Sequence, residues 1–385
     1  MRSTLQLACG VSLAAVLTAC GGGSGAKPDP KPEPVALTSE QIRMYSGHSL
    51  FAGLVVQAPT LFVSMFAYEK GVGYSSEPYE CEHGGTVDIT YTPVSPDSSE
   101  MSPGDEIALD FKQCREEFGL YGLGLSMLDD DDGDDVITIN GKAKVLLTAV
   151  PVIYTRYAKP VSAPALTSPK LAKFLAAMES ATTLGTQVTY TQLQIGDGDE
   201  VDDTDTTFDG TMRLQLSVPF MDGGLGKQEA PSADTDDPVS VHLLTLTNSQ
   251  RDGEALTVSF EEDGKSYSQT ISRFNSQLDI DCGCDSDSLR HTLNDLQYTN
   301  EGSDPELGDN LAYSVELVEP IVINDFEFGV ASGEMLTTVH LGDDYAEDVT
   351  TKFASSGDDA TVDISSTGGA AWSGSFEDYL GFDFD

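Results

Sequence analysis

From Thr86 onward the chain returns again and again to a period of two. Thr86-Val87-Asp88-Ile89-Thr90-Tyr91, Glu106-Ile107-Ala108-Leu109-Asp110-Phe111, Val136-Ile137-Thr138-Ile139 and residues 143–150 alternate apolar with polar side chains, and turn residues separate them. Successive side chains of a strand point to opposite faces, so this alternation gives a sheet one dry face and one wet face. Residues 186–194, 208–218, 239–247, 255–260, 267–280, 311–318, 335–341 and 360–364 read the same way. Helical patterns do not alternate with these strands, which disfavours parallel βαβ winding. The expected fold is mainly β: antiparallel sheets, as a sandwich or as an open curved sheet or partial barrel, with one or two accessory helices.

Helical signals stand in two places, and a third stretch is open between helix and strands. Thr38-Ser39-Glu40-Gln41 has the form of a capping box and opens a short helix through about Ser46. Residues 50–68 are largely apolar but are interrupted by Gln57, Pro59, Thr60 and Ser64, so a buried helix or strand pair fits them better than a membrane span. Ser168-Pro169 supplies an N-cap and a first-turn proline for a helix over 170–183, with Gly185 past its end. An internal echo links residues 130–150 with 197–218. Each runs from an acidic loop into a strand beginning near a glycine, Ile139-Asn140-Gly141-Lys142-Ala143 in one and Phe208-Asp209-Gly210-Thr211-Met212 in the other. The organisation expected is a signal peptide over 1–19, a stalk over 20–37, a β-rich domain over 38–280 that duplication of a smaller unit would explain, and a C-terminal β-rich region over 281–385 packed on it.

The first twenty residues carry one basic residue, Arg2, an apolar run from Leu5 to Leu17, and small residues before the end. This is the pattern of a secretory signal. Its last four residues, Leu17-Thr18-Ala19-Cys20, resemble the bacterial lipobox, in which the cysteine becomes the diacylated N-terminus. The resemblance implies lipidation of Cys20, palmitate among the acyl chains, and anchoring to a membrane. The apolar run is too short to span a hydrocarbon core of about 30 Å comfortably, so anchoring through lipid is expected in place of spanning. Gly21 stands where an aspartate would argue for inner-membrane retention, which points to the outer membrane of a Gram-negative host. Gly21-Gly22-Gly23-Ser24-Gly25 and the prolines at 28, 30, 32 and 34 then form a stalk, flexible first and extended after.

The 385 residues carry 20 basic and 64 acidic side chains, a formal charge of −44 that becomes −45 once Arg2 leaves with the signal. A chain so acidic repels phosphate backbones and anionic headgroups, which excludes nucleic acid as a partner. At 39 % hydrophobic residues, it has ample material for a large core. Of its six cysteines, Cys81, Cys114, Cys282 and Cys284 follow the anchor, in a compartment where disulfides persist. Four cysteines allow three pairings. The strand-like flanks of Cys81 and Cys114 favour joining those two, leaving Cys282-Gly283-Cys284 to pair through a tight ring. The alternatives for Cys-Gly-Cys are a soft-metal site or a redox pair, although only a loosely placed His291 offers further ligation.

Motifs for catalysis are absent from the sequence. Gly47-His48-Ser49-Leu50 resembles the start of a nucleophile elbow, but Phe51 stands where the second glycine must be and no strand precedes it. His48, His83, His242, His291 and His340 are scattered without metal-ligand spacing, so each is read as a satisfied surface or half-buried histidine. The sequence requires no cofactor, and calcium is the best chemical candidate, set against the favoured reading of solvated acidic hairpin loops. Asp130, Asp132 and Asp134 stand at positions 1, 3 and 5 of an EF-hand-like loop, although Asp135 replaces the glycine at position 6 and Gly141 the glutamate at position 12. A second acidic loop, residues 197–205, has the charge without the register.

Cys81-Glu82-His83-Gly84-Gly85-Thr86-Val87, Pro103-Gly104-Asp105-Glu106-Ile107, Asp110-Phe111-Lys112-Gln113-Cys114 and Ile139-Asn140-Gly141 together resemble a group of proteobacterial lipoproteins of uncharacterised activity. In that group a cysteine and Gly-Gly open a strand, and a Gly-Asp turn leads to a strand ending in Phe and a second cysteine. The resemblance is concentrated in residues 81–150 and implies a Cys81 to Cys114 bond and a β-rich fold. The expected function is a membrane-anchored envelope lipoprotein with a structural or binding role, meeting an envelope protein or a glycan. A calcium-dependent binding or adhesion module is the alternative, and a hydrolase with an unlocated carboxylate site comes third.

Overall fold

Thr38 starts the first helix. Its hydroxyl accepts the Gln41 amide at 3.2 Å, and Gln41 Oε1 accepts the Thr38 amide at 3.0 Å, satisfying two donors that an uncapped helix would leave open. The computed structural model describes residues 36–71, 78–96, 101–117, 136–150, 183–196, 205–217, 244–262, 264–282, 289–324, 330–342, 345–356 and 359–380. Helix α1 (Ser39–Val55) continues past Ser46, and after a single non-helical residue, Val56, α2 (Gln57–Gly71) follows. Gly47 and Gly53 lie inside α1, and at Gly53 the sheet comes close enough to need a residue without a side chain. A Cβ on Gly53 would lie 2.9 Å from a Leu296 methyl. Pro59 falls in the first turn of α2, where its missing N–H has no intrahelical partner to lose.

Thirteen of the fifteen residues of α2 are buried. A helix enclosed on all sides must lie inside the molecule. The stretch Ser39–Gly71 is long and apolar enough to cross a membrane by length and composition, yet it is the inner layer of this fold. The outer layer is a sheet of fifteen strands among the described residues: β1 (Tyr79–Glu80), β2 (Thr86–Thr92), β3 (Glu106–Glu117), β4 (Val136–Ala149), β5 (Thr183–Gly196), β6 (Thr206–Ser217), β7 (Leu244–Ser249), β8 (Ala255–Glu262), β9 (Lys265–Cys282), β10 (Leu289–Asp304), β11 (Gly308–Asn324), β12 (Val330–His340), β13 (Ala346–Ser356), β14 (Asp359–Ser366) and β15 (Ala371–Ser375). A last short helix, α3 (Phe376–Leu380), follows.

Every pairing is antiparallel and joins sequence neighbours, except where β7 and β8 share one place. Both lie between β6 and β9, β7 against Arg213–Ser217 and β8 against Thr207–Gly210. The pairing of β9 with β10, including Cys282 with Leu289, carries the sheet without a break across residue 280. The architecture is therefore one sheet and not two faced in a sandwich. Its dry face surrounds the helices: α2 touches β2 to β6, and α1 touches β12 to β15.

A sheet needs bends to wrap around a pair of helices, and glycines supply them. At Gly141 φ is +99°, and a Cβ would stand 1.9 Å from the Gln192 carbonyl oxygen; at Gly210 φ is +124°, and a Cβ would stand 2.1 Å from the Ala255 carbonyl oxygen. Only glycine tolerates both the backbone angle and the close approach. The residues that echo each other in the sequence thus sit on two strands, β4 and β6, that bend by the same means. Where two strands were expected over 136–150, Gly141 bends one continuous strand.

The polar residues of the helices meet the sheet. Ser46 bonds Thr351 at 2.5 Å and the Tyr379 hydroxyl at 2.9 Å, Gln57 Oε1 accepts Asn248 Nδ2 at 3.0 Å, Tyr190 donates to Thr60 at 2.9 Å, and Ser64 bonds Thr186 at 2.6 Å. Each would be costly if buried alone, and together they fix the rotation and depth of both helices. The outward face is wet. Lys112 pairs with Asp88, Lys142 with Asp110 and Lys144 with Glu106, while Thr189 faces Thr211 and Ser272 faces Thr299. A lipid-facing barrel carries an apolar band there instead.

Candidate functional site

Among the described residues, a group of five interacting polar side chains lies where α1 meets β9, β10 and β11. His48 comes from α1, Gln269 from β9, Asn300 and Asp304 from β10, and Tyr313 from β11. Asp304 Oδ2 accepts His48 Nε2 at 3.1 Å and Gln269 Nε2 at 3.0 Å, while its Oδ1 accepts the amides of Glu306 and Leu307 at 2.9 and 3.0 Å. Asp304 is thus both the turn-forming residue of the β10–β11 hairpin and the partner of the helix. His48 Nδ1 lies 2.8 Å from the Tyr313 hydroxyl, and Asn300 Nδ2 donates to that hydroxyl at 3.0 Å and to Gln269 Oε1 at 2.8 Å.

An ionised Asp304 accepts only, so it draws the His48 Nε2 and Gln269 Nε2 donors toward one oxygen. Burial pushes the Asp304 carboxyl up, but the hydrogen bond and charge of His48 and the two backbone amides outweigh it and hold the group below its ordinary range. Burial pushes the Tyr313 phenol well above its ordinary value, and the hydrogen bonds it receives do not reverse that. A phenol held neutral donates; it does not serve as a nucleophile. Asn300 and Tyr313 are at most 1 % exposed. The cluster therefore tethers α1 to the sheet, with the Tyr313 hydroxyl closed off from solvent.

The second group is at one edge of the sheet, by β1, β2 and β3. Cys81 and Cys114 are joined in a disulfide, as the flanking strands and the resemblance suggested. Glu116 lies beside it, buried, and accepts the Glu82 amide at 3.2 Å. Burial raises the Glu116 carboxyl above its usual range, against the opposing pull of the Glu82 amide and of Lys70. The Gly-Asp turn of the resemblance also has a physical role. Asp105 Oδ1 accepts the Val94 amide at 2.7 Å, and Oδ2 accepts the Ser102 amide at 2.8 Å and the Tyr91 hydroxyl at 2.5 Å, which closes the β2–β3 hairpin. The Tyr91 phenol is pushed up to about 12, by burial first and by Asp105 second.

A third feature is an open depression of about 460 Å³ on the outer side of β13, β14 and β15, lined by Lys352, Asp363, Ser365, Ala371 and Ser373 among others. Trp372 borders it, but Trp372 pairs with the buried Ile364 and so belongs to the inner side of the edge strand.

Of the residues singled out in the sequence, Cys81 and Cys114 are brought together. Cys20, Cys284, Asp130, Asp132, Asp134 and His242 lie outside the described residues, as does the helix expected over 170–183 apart from Thr183, which is the first residue of β5, and of Cys282 only the backbone is described, closing β9. His48 is half-buried and hydrogen-bonded, the role read for each histidine, while the four residues around it were not singled out. They lie more than 200 positions away in the chain, and no spacing rule reaches that far. Compared with family models, with curated proteins and with solved structures, the chain matches none.

Proposed function

We propose that this chain is a lipid-anchored bacterial envelope lipoprotein whose folded body acts by binding a partner, an envelope protein or a glycan, and not by catalysis. The observation that carries the reading is that the dry face of the sheet is filled by the protein's own helices, with α2 enclosed on nearly all sides. Among the described residues, what is left for other molecules is the wide polar outer face and the sheet edges. Those surfaces suit recognition of a hydrated partner. The anchor is Cys20, and the Gly- and Pro-rich stalk after it holds the body away from a bilayer whose anionic headgroups the −44 charge would repel.

The test is metabolic labelling with a palmitate analogue, followed by membrane fractionation, of the wild type and of Cys20→Ala. The wild type is expected to carry label and to sediment with membranes, and the variant to lose both. Label retained on Cys20→Ala would remove the anchor from the proposal. If both forms are unlabelled and soluble, the chain is not a lipoprotein.

A further inference from the structure

The turn after β1 and the kinked part of β3 bring three metal-ligating side chains to one buried spot. Cys81 is 7 % exposed, Cys114 0 % and Glu116 7 %, and the two sulfurs and a Glu116 carboxylate oxygen all lie within 4.8 Å of one another. The backbone gathers them independently of the sulfur–sulfur bond. The Cys81 amide donates to Gly85 O at 3.2 Å, the Arg115 amide to Gly84 O at 2.9 Å, the His83 amide to Arg115 O at 3.0 Å, and the Glu82 amide to Glu116 Oε1 at 3.2 Å. A Cβ on Gly85 would stand 1.7 Å from the Gln113 carbonyl oxygen, so turn and strand are in backbone contact. Opening the disulfide would therefore leave the three side chains together.

We propose that Cys81, Cys114 and Glu116 form a redox-gated site for a zinc-class divalent ion, closed to metal while the sulfurs are joined and opened by their reduction. A dithiol reductant delivers two electrons and two protons to the sulfur–sulfur bond and becomes a disulfide itself. The two thiols then release two protons as the ion binds both sulfurs. Glu116 supplies the third ligand, and water takes the fourth tetrahedral position. Two thiolates select a borderline-soft ion over calcium or magnesium, which matters in a chain whose many surface carboxylates attract hard cations without discrimination.

The experiment uses the full mature chain in detergent, with Cys282→Ser and Cys284→Ser removing the other thiol pair. A water-soluble phosphine reduces Cys81–Cys114, taking oxygen from water to become the phosphine oxide, and is removed without air. Cobalt(II) and then zinc(II) are titrated in. The reduced protein is expected to take up one equivalent of cobalt, with a sulfur-to-cobalt charge-transfer band and tetrahedral visible bands that zinc abolishes, and the oxidised protein none. Glu116→Gln in the same background is expected to weaken zinc binding by about tenfold or more at unchanged stoichiometry. Absence of the band after reduction, or an equal band in Cys81→Ser, overturns the proposal. So does equal zinc affinity in Glu116→Gln, the result given by an unfolded chain that binds through its thiolates alone.

Discussion

Asp304 concentrates two duties in one side chain. One oxygen builds the β10–β11 turn, and the other receives His48 and Gln269 from elements far apart in sequence. Its carboxyl is held below the ordinary range, so in the acid window the unfolded chain binds more protons at this position than the folded one. The stability it contributes is fully present above the unfolded carboxyl range, near pH ~4, and is lost as the pH falls through the depressed folded value. Asp304→Asn is expected to cost about 1 to 3 kcal/mol at neutral pH, because donors remain aimed at an amide. It is also expected to flatten the acid limb of stability against pH. Urea unfolding of both proteins from pH 7 to 3 measures this, and parallel limbs would show that Asp304 is not one of the carboxylates that acid titrates against the fold. His48 was visible in the sequence as a histidine and nothing more. Its partners are legible only once β9, β10 and β11 are side by side.

At the scale of elements, the bends matter as much as the strands. Gly141→Ala is expected to destabilise by about 3 kcal/mol or more, since a methyl would collide with the Gln192 carbonyl and the backbone angle is unfavourable as well. Gly253→Ala gives the contrast: φ is +84° but nothing lies within 4 Å, so only the angle counts and about 1 to 2 kcal/mol is expected. Thermal and denaturant unfolding of the two variants separates collision from angle, and equal losses would mean that Gly141 is not pressed against β5. Most strands were legible because their inward positions are apolar. Alternation did not reveal β1, β10, β13 and β15, and for β10 and β13 the reasons are identifiable. In β10 a register shift between Leu293 and Asp295 changes the phase, so the buried Leu293, Leu296 and Tyr298 do not keep a period of two. In β13 the inward positions are Glu347, Val349, Thr351 and Phe353, and half of them are polar. Thr351 is there to meet Ser46, so the demand of the helix overrides the pattern of the strand. The interruptions at Gln57, Thr60 and Ser64 read the same way from the other side, since each of these residues bonds a strand.

For the molecule as a whole, the question is whether so long a sheet behaves as one unit. A meander in which each strand pairs only with its neighbours could melt from either end, as a repeat array does. The helices oppose this. The α2 helix rests on β2 to β6, α1 on β12 to β15, and the two are joined through Val56, so unfolding either end of the sheet uncovers apolar helix surface that the other end cannot cover. The sequence suggested a boundary near residue 280, and the β9–β10 pairing runs straight across it. Natural reporters sit at the two extremes: Cys81–Cys114 ties β1 and β2 to β3, and Trp372, the single tryptophan, is on β15. Replacing Cys81 and Cys114 by alanine opens a loop with a sequence separation of 33, which is worth about 3 to 4 kcal/mol by loop-closure entropy. If the sheet is one cooperative unit, that loss at the first strands lowers the Trp372 fluorescence midpoint by the same amount as the far-ultraviolet circular dichroism midpoint. A tryptophan transition that stays in place while the dichroism splits in two would mean that the ends fold independently. The helices would then be two separate cores and not one axle through the sheet.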